Sequence, residues 1–112
     1  MFKTLFGKKL YQEIAPSKAK EKLETDHNIL LLDVRTPEEY HSAHIPGSKL
    51  LPLDQVGSRI SRIASDKDTE IIVYCLSGAR AASACSVLAS MGYTNVSTMG
   101  GIRSWPYALA KG

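Results

Sequence analysis

The sequence predicts an α/β fold with a mostly parallel central sheet of about five strands and helices on both faces. Three observations carry that prediction. Two continuous apolar runs, Ile29–Leu32 and Ile71–Tyr74, have the pattern of strands buried on both faces of a parallel sheet. Stretches with helix-start and helix-stop signals separate the strand candidates, which is the order of βαβ units. At 112 residues, 44% hydrophobic and 22% charged, the chain has the make-up of one ordinary globular domain.

Taken in order, residues 1–8 read as a flexible basic lead-in and 9–112 as a single domain. Leu10 to Ile14 alternates apolar and polar residues, a short edge strand. Pro16 ends it, and Ser17 is the expected N-cap of a helix over Lys18–Glu24, with Ala19 and Leu23 one turn apart. After the Ile29–Leu32 strand comes Thr36-Pro37-Glu38-Glu39, a compact helix start. Thr36 caps, Pro37 takes the first helical position and Glu39 completes a capping box. Ile45-Pro46-Gly47 keeps that helix short. Ser48–Leu53 reads as a strand interrupted by Pro52. Asp54 then caps a helix to about Ile63, with Val56, Ile60 and Ile63 on one face. Ser65–Thr69 is a polar loop before the second buried strand.

A helix starting near Arg80 has Ala81, Ala84, Cys85 and Leu88 on one side and Ser83, Ser86 and Ser90 on the other. Gly92 terminates it. Val96–Thr98 is the last short strand, Gly100-Gly101 a tight bend, and Ile102–Leu109 a closing helix bent or begun at Pro106.

Composition narrows the function classes. No apolar stretch has the length of a membrane span. Residues 1–11 are basic but lack the apolar core and cleavage site of a secretory signal. Two cysteines do not make a disulfide framework, so the expectation is a cytoplasmic protein with at least one free thiol. The net charge of +3 is partly local, since Lys3, Lys8, Lys9, Lys18 and Lys20 face only Glu13 in the first twenty residues. A solvated arm explains this better than a patch for an acidic partner. Aromatic and basic residues are not interleaved as in nucleic-acid binders, and no Walker loop or nucleophile elbow occurs. Nothing calls for a cofactor.

The chemistry concentrates in Cys75-Leu76-Ser77-Gly78-Ala79-Arg80. A strand hands over to a helix there, and ligands of parallel sheets bind at such carboxyl ends. Free backbone N–H groups and the helix dipole favour negative charge, and so a nucleophilic thiolate at Cys75. Consecutive N–H groups form an anion nest, Gly78 supplies a left-handed step, and Arg80 adds a fixed positive charge. The plainer alternative is a buried structural cysteine. Asp33 and Arg35, at the end of the other buried strand, reach the same rim. Arg35 either supplies positive potential for an anionic donor or forms an ion pair with Asp33, Glu38 or Glu39 that orders the loop. The second role is preferred, because charges near buried strand ends are usually paired. His41 and His44 are three residues apart without a ligand cluster, so no metal site is read. Cys85 falls on the apolar helix face and is assigned to packing rather than to resolving an oxidised Cys75. Trp105 is a core or lid aromatic.

The turn, together with Leu31-Leu32-Asp33-Val34-Arg35, Glu38-Glu39-Tyr40, His44-Ile45-Pro46-Gly47 and Gly100-Gly101…Trp105, resembles the single-domain rhodaneses over about Leu10 to Leu109. The resemblance implies a sulfurtransferase. Its loop cysteine, matched by Cys75, takes the outer sulfur of thiosulfate or a related donor as a persulfide and releases sulfite. A low-molecular-weight thiol, a thioredoxin-like protein or cyanide then accepts the sulfur. The amides of Leu76, Ser77, Gly78, Ala79 and Arg80 would stabilise the bound sulfur. The family commonly has Gly where this chain has Ala43.

Phosphatases and arsenate reductases that share the fold place five residues between Cys and Arg to cradle a tetrahedral oxyanion. Four residues stand between Cys75 and Arg80, a ring that suits one sulfur atom better. A protein-to-protein persulfide carrier is the nearer alternative. A catalytically idle binding module is disfavoured because the loop cysteine is present. With Leu76 and Ser77 uncharged, Arg80 is the one formal positive charge in the turn, so modest thiosulfate activity that weakens with salt is expected.

Overall fold

A computed structural model of the chain describes residues 4–5 and 8–112. Thr4–Leu5 (β1) and Lys8–Lys9 (β2) pair antiparallel, and the rest of the expected lead-in over 1–8 lies outside the described residues. The main sheet contains β3 (Gln12–Glu13), β4 (Leu30–Asp33), β5 (Lys49–Leu50), β6 (Ile71–Cys75) and β7 (Val96–Gly101). Its order is β3-β7-β6-β4-β5 and every neighbouring pair is parallel. β6 lies at the centre and all five of its residues are buried, which is why its sequence is uninterrupted apolar.

Successive strand residues feed two cores, as the two-residue period of a strand requires. Leu32, Val34, Ile71, Val73 and Cys75 pack with α3 (Val56–Ile63) and α4 (Ala79–Ser90). Leu31, Ile72 and Tyr74 face the other way, onto Ala19 of α1 (Pro16–Thr25), Met99 and Trp105. Helices therefore cover both faces. Among the described residues, no helix is long and apolar enough to cross a membrane.

Helix α2 (Pro37–Ser42) forms as its start signal predicts. The Glu39 N–H donates to Thr36 Oγ1 at 3.2 Å and the Thr36 N–H to Glu39 Oε1 at 3.0 Å. Gly92 follows α4 with φ +97°, the left-handed step of a helix stop.

Four local readings are corrected. Pro16 opens α1 rather than preceding it, with Ala15 as an N-cap that makes no side-chain bond, so Ser17 lies inside the helix. A proline lacks only an N–H that the first turn leaves unbonded anyway. Asp54 does not cap α3. It sits in a 3-10 turn, Leu53–Gln55, closed by the Gln55 N–H on the Pro52 carbonyl at 2.8 Å, and Gln55 takes the cap position.

The last strand is longer than Val96–Thr98 and takes in both Gly100 and Gly101. The closing helix is a single 3-10 turn, Ile102–Ser104. Trp105 precedes Pro106 and adopts φ −86°, ψ 109°, because the proline ring crowds the helical region of the residue before it. The remaining tail pairs antiparallel with His44, exchanging two backbone bonds of 2.8 Å with Ala110.

Candidate active site

Strand β6 delivers Cys75 to the carboxyl edge of the sheet, and α4 begins four residues later, at Ala79. Cys75 is 1% exposed, and its Sγ accepts the Gly78 N–H at 3.0 Å. Gly78 holds φ +127°, ψ −26° as the residue before α4. A side chain would be strained at this positive φ, so the turn that presents this N–H to the sulfur carries a glycine where it passes into α4. The first N–H groups of α4 lie beyond its own hydrogen-bond ladder, as at any helix start, so this end carries positive partial charge.

The turn is fixed from the side by β7. Val73 pairs with Thr98 but Cys75 pairs with Gly101, so β7 carries one extra residue there, a bulge. Gly100 provides φ +85° at the bulge, and its N–H donates to Thr98 Oγ1 at 3.1 Å. Gly101 is extended, at φ −126°, ψ 154°, and serves a different purpose. A Cβ on it would lie 2.1 Å from the Leu76 carbonyl oxygen and 2.6 Å from both the Leu76 carbonyl carbon and Ser77 Cα. The Leu76 carbonyl also accepts the Arg103 N–H at 3.4 Å. The expected bend at Gly100-Gly101 is thus a seat for the cysteine turn.

The other side of the turn is tied to α2. Arg80 Nη1 and Nη2 donate to Glu39 Oε1 and Oε2 at 2.8 and 3.0 Å, a fork-on-fork pair. The charge expected to stand alone in the turn is therefore matched by a carboxylate. The hydrogen bond from Arg80, with help from Thr36 and against partial burial, holds the Glu39 carboxyl down at about 2. A folded value below the ordinary one gives stability that is present above about pH 4.5 and lost as pH falls towards about 2. The pair is part-exposed, 34% for Arg80 and 27% for Glu39, so solvent screening limits its worth to about 1 kcal/mol. Glu39→Gln keeps a capping side chain and removes the charge. Chemical denaturation should find the variant less stable near neutrality, the gap closing in acid. A gap independent of pH would count against the pair.

Asp33 and Arg35 form a second ion pair, buried at the end of β4. Arg35 Nη2 reaches Asp33 Oδ2 at 2.7 Å and Arg35 Nε reaches Oδ1 at 2.9 Å, while the Arg35 N–H donates to Oδ1 at 3.0 Å. Arg35 Nη2 also donates to the Ala43 carbonyl at 2.7 Å, so the pair ties β4 to the end of α2. Ala43 itself is extended at φ −168°, which any residue adopts, so glycine is not needed there. Glu39, grouped with this pair in the sequence, pairs with Arg80 instead.

Tyr74, one residue before Cys75, is a site-supporting residue that the sequence reading missed. Its hydroxyl accepts the Ile45 N–H at 3.1 Å and meets Ser48 Oγ at 3.1 Å. Burial raises its ionisation above the ordinary tyrosine range. It holds the His44-Ile45-Pro46-Gly47 turn against the sheet. His44 stacks on Tyr40 with ring centroids 3.9 Å apart, and its Nδ1 lies 2.9 Å from the Tyr40 carbonyl. An isolated tyrosine in an apolar strand gives no sign of this role; only its position beside the cysteine does.

Cys85 lies within the α4 core at 0% exposure. Burial, with a contribution from Cys75, pushes its thiol up to about 12, so it stays protonated and inert at neutral pH. Trp105 is buried in the opposite core and donates Nε1–H to the Ala108 carbonyl at 3.3 Å.

Comparison with known proteins agrees with this fold. The model of the rhodanese-like domain matches residues 15–107. The thiosulfate sulfurtransferase PspE of Escherichia coli is 37% identical over 81 residues, which is 72% of this chain and 78% of that protein. A sulfurtransferase of Allochromatium vinosum is 36% identical over 97 residues, 86% of this chain and 89% of that one. The thiosulfate:glutathione sulfurtransferase of Saccharomyces cerevisiae is 37% identical over 71% of this chain and 66% of its own length. Among solved structures, an Escherichia coli rhodanese with anions superposes with a TM-score of 0.71 at 36% identity, covering 75% of this chain and 99% of that one. A rhodanese-related protein of Thermoplasma volcanium gives 0.76 at 28% identity, over 89% and 98%.

Proposed function

We propose, for a chain that belongs to the rhodanese-like family and is a rhodanese-type sulfurtransferase, that Cys75 carries the transferred sulfur as a persulfide. The observation that carries this reading is the Gly78 N–H directed at Cys75 Sγ from the turn into α4. The Cys75 thiolate attacks the outer sulfur of thiosulfate, an S–S bond to Cys75 forms, and sulfite leaves with the electron pair of the broken bond. An acceptor thiolate then attacks the outer sulfur of the persulfide. It departs as the acceptor's persulfide, and Cys75 is released as thiolate. Splitting the transfer in two keeps each displacement simple.

The backbone amides of Leu76, Ser77, Gly78, Ala79 and Arg80 stabilise the charge on the outer sulfur. Thiosulfate as donor and a low-molecular-weight thiol such as glutathione as acceptor are suggested by the relatives of those names. The four-residue interval before Arg80 favours this over phosphate or arsenate chemistry. Residues 9–112 act as one unit, and two free, buried cysteines suit a reducing cytoplasm.

Steady-state transfer from thiosulfate to glutathione or cyanide tests the reading. Cys75→Ser should lose about a thousandfold or more in turnover, because no other thiolate can accept the sulfur. Cys85→Ala should keep most of it. Turnover that survives Cys75→Ser but not Cys85→Ala would reverse the assignment.

A further inference from the structure

We infer that Arg103 is the donor-selecting residue of this sulfurtransferase, the cation that draws a doubly charged donor to Cys75; the inference rests on the Cys75 reading above. A thiosulfate dianion needs positive potential at the mouth of the turn. Three arginines are brought to its surroundings. Arg80 is held by both carboxylate oxygens of Glu39, and Arg35 is 4% exposed with its Nε and Nη2 on Asp33. Each of these cations is cancelled at short range by its own carboxylate.

Arg103 differs on every count. Its backbone N–H is fastened to the carbonyl of Leu76, the residue directly after Cys75, and Gly101 just before it packs against Leu76 and Ser77. The side chain is exposed, and among the described residues no carboxylate pairs with it. Its guanidinium is therefore carried within one side-chain length of the turn with its charge uncompensated. An exposed, unpaired cation of this kind attracts an anion through its charge, so it acts on donor capture and not on the displacement itself.

The test is steady-state kinetics of the full chain with two donors of different charge, thiosulfate (two negative charges) and methanethiosulfonate (one), at low and high salt. Arg103→Ala should raise the thiosulfate KM about three- to fivefold and the methanethiosulfonate KM by less, with kcat nearly constant. Arg103→Glu should raise the thiosulfate KM further, and Arg103→Lys should restore it. The salt sensitivity of the thiosulfate KM should shrink in Arg103→Ala. Arg62→Ala, which removes one charge from the exposed face of α3, controls for net charge. Equal thiosulfate KM values for wild type, Arg103→Ala and Arg103→Glu would overturn the inference while leaving the Cys75 persulfide standing. A loss confined to kcat would overturn it too, since that would place the effect in the chemical step. A wild-type chain that takes up no sulfur would overturn the Cys75 reading and this inference with it.

Discussion

Gly101→Ala is expected to cost about a hundredfold or more in kcat/KM although it adds one methyl group outside the cysteine turn. The added Cβ would stand 2.1 Å from the Leu76 carbonyl oxygen and 2.6 Å from two further backbone atoms of the turn. None of these is the movable end of a side chain. Either β7 or the Leu76–Ser77 backbone must shift, and Cys75 pairs directly with Gly101. A displacement there carries the Gly78 N–H away from Sγ. Overpacking of this kind also costs about 1 to 3 kcal/mol of stability. Gly100→Ala is the informative partner. Beyond the adjoining residues no atom lies within 4 Å of a Cβ at Gly100, but its φ of +85° is strained for alanine. That variant should lose about 1 kcal/mol from backbone strain and much less activity. Steady-state kinetics and thermal unfolding of the two variants separate crowding from strain, and equal activity in both would contradict the seat assigned to Gly101.

Asp33→Ala is expected to destabilise the protein by about 3 to 5 kcal/mol, the cost of leaving a buried guanidinium without its counter-ion. Asp33 is 0% exposed and Arg35 4%, and without Asp33 the guanidinium keeps its hydrogen bond to the Ala43 carbonyl and its place over the Tyr74 ring but no counter-ion. Such a loss is a large part of the margin of an ordinary domain. Asp33→Ala with Arg35→Ala should be less damaging than Asp33→Ala alone, because it removes the orphaned charge. Urea denaturation measures both, and a single-variant loss below about 1 kcal/mol would show that the pair is not what ties β4 to α2.

The parts of this molecule that were legible in its sequence are those whose cause is local. The apolar runs of β4 and β6 announce strands covered on both faces, Thr36-Pro37-Glu38-Glu39 writes out its own capping box, and Gly92 marks the end of α4. The strand-to-helix turn at Cys75 was visible for the same reason. What was not legible depends on residues distant in the chain. Arg80 reads as a lone cation until folding brings Glu39 of α2 to it. Gly101 reads as a bend until Leu76 and Ser77 are laid against it. The Ile102–Leu109 segment has a helical look, but Pro106 excludes Trp105 from the helical region and the tail gains strand-like bonds to His44 instead. Ser17 and Asp54 are residues that cap well, yet Pro16 moves the cap of α1 to Ala15, two residues earlier, and the Pro52 turn moves that of α3 to Gln55, one residue later.

Sulfur carriage by Cys75 is tested most directly by intact mass spectrometry after incubation with thiosulfate and removal of excess donor. The wild-type chain should gain the mass of one sulfur atom, dithiothreitol should remove it, Cys85→Ala should gain it equally, and Cys75→Ser should show no gain. A gain that persists in Cys75→Ser, or that disappears in Cys85→Ala, would contradict the assignment of Cys75 as the carrier.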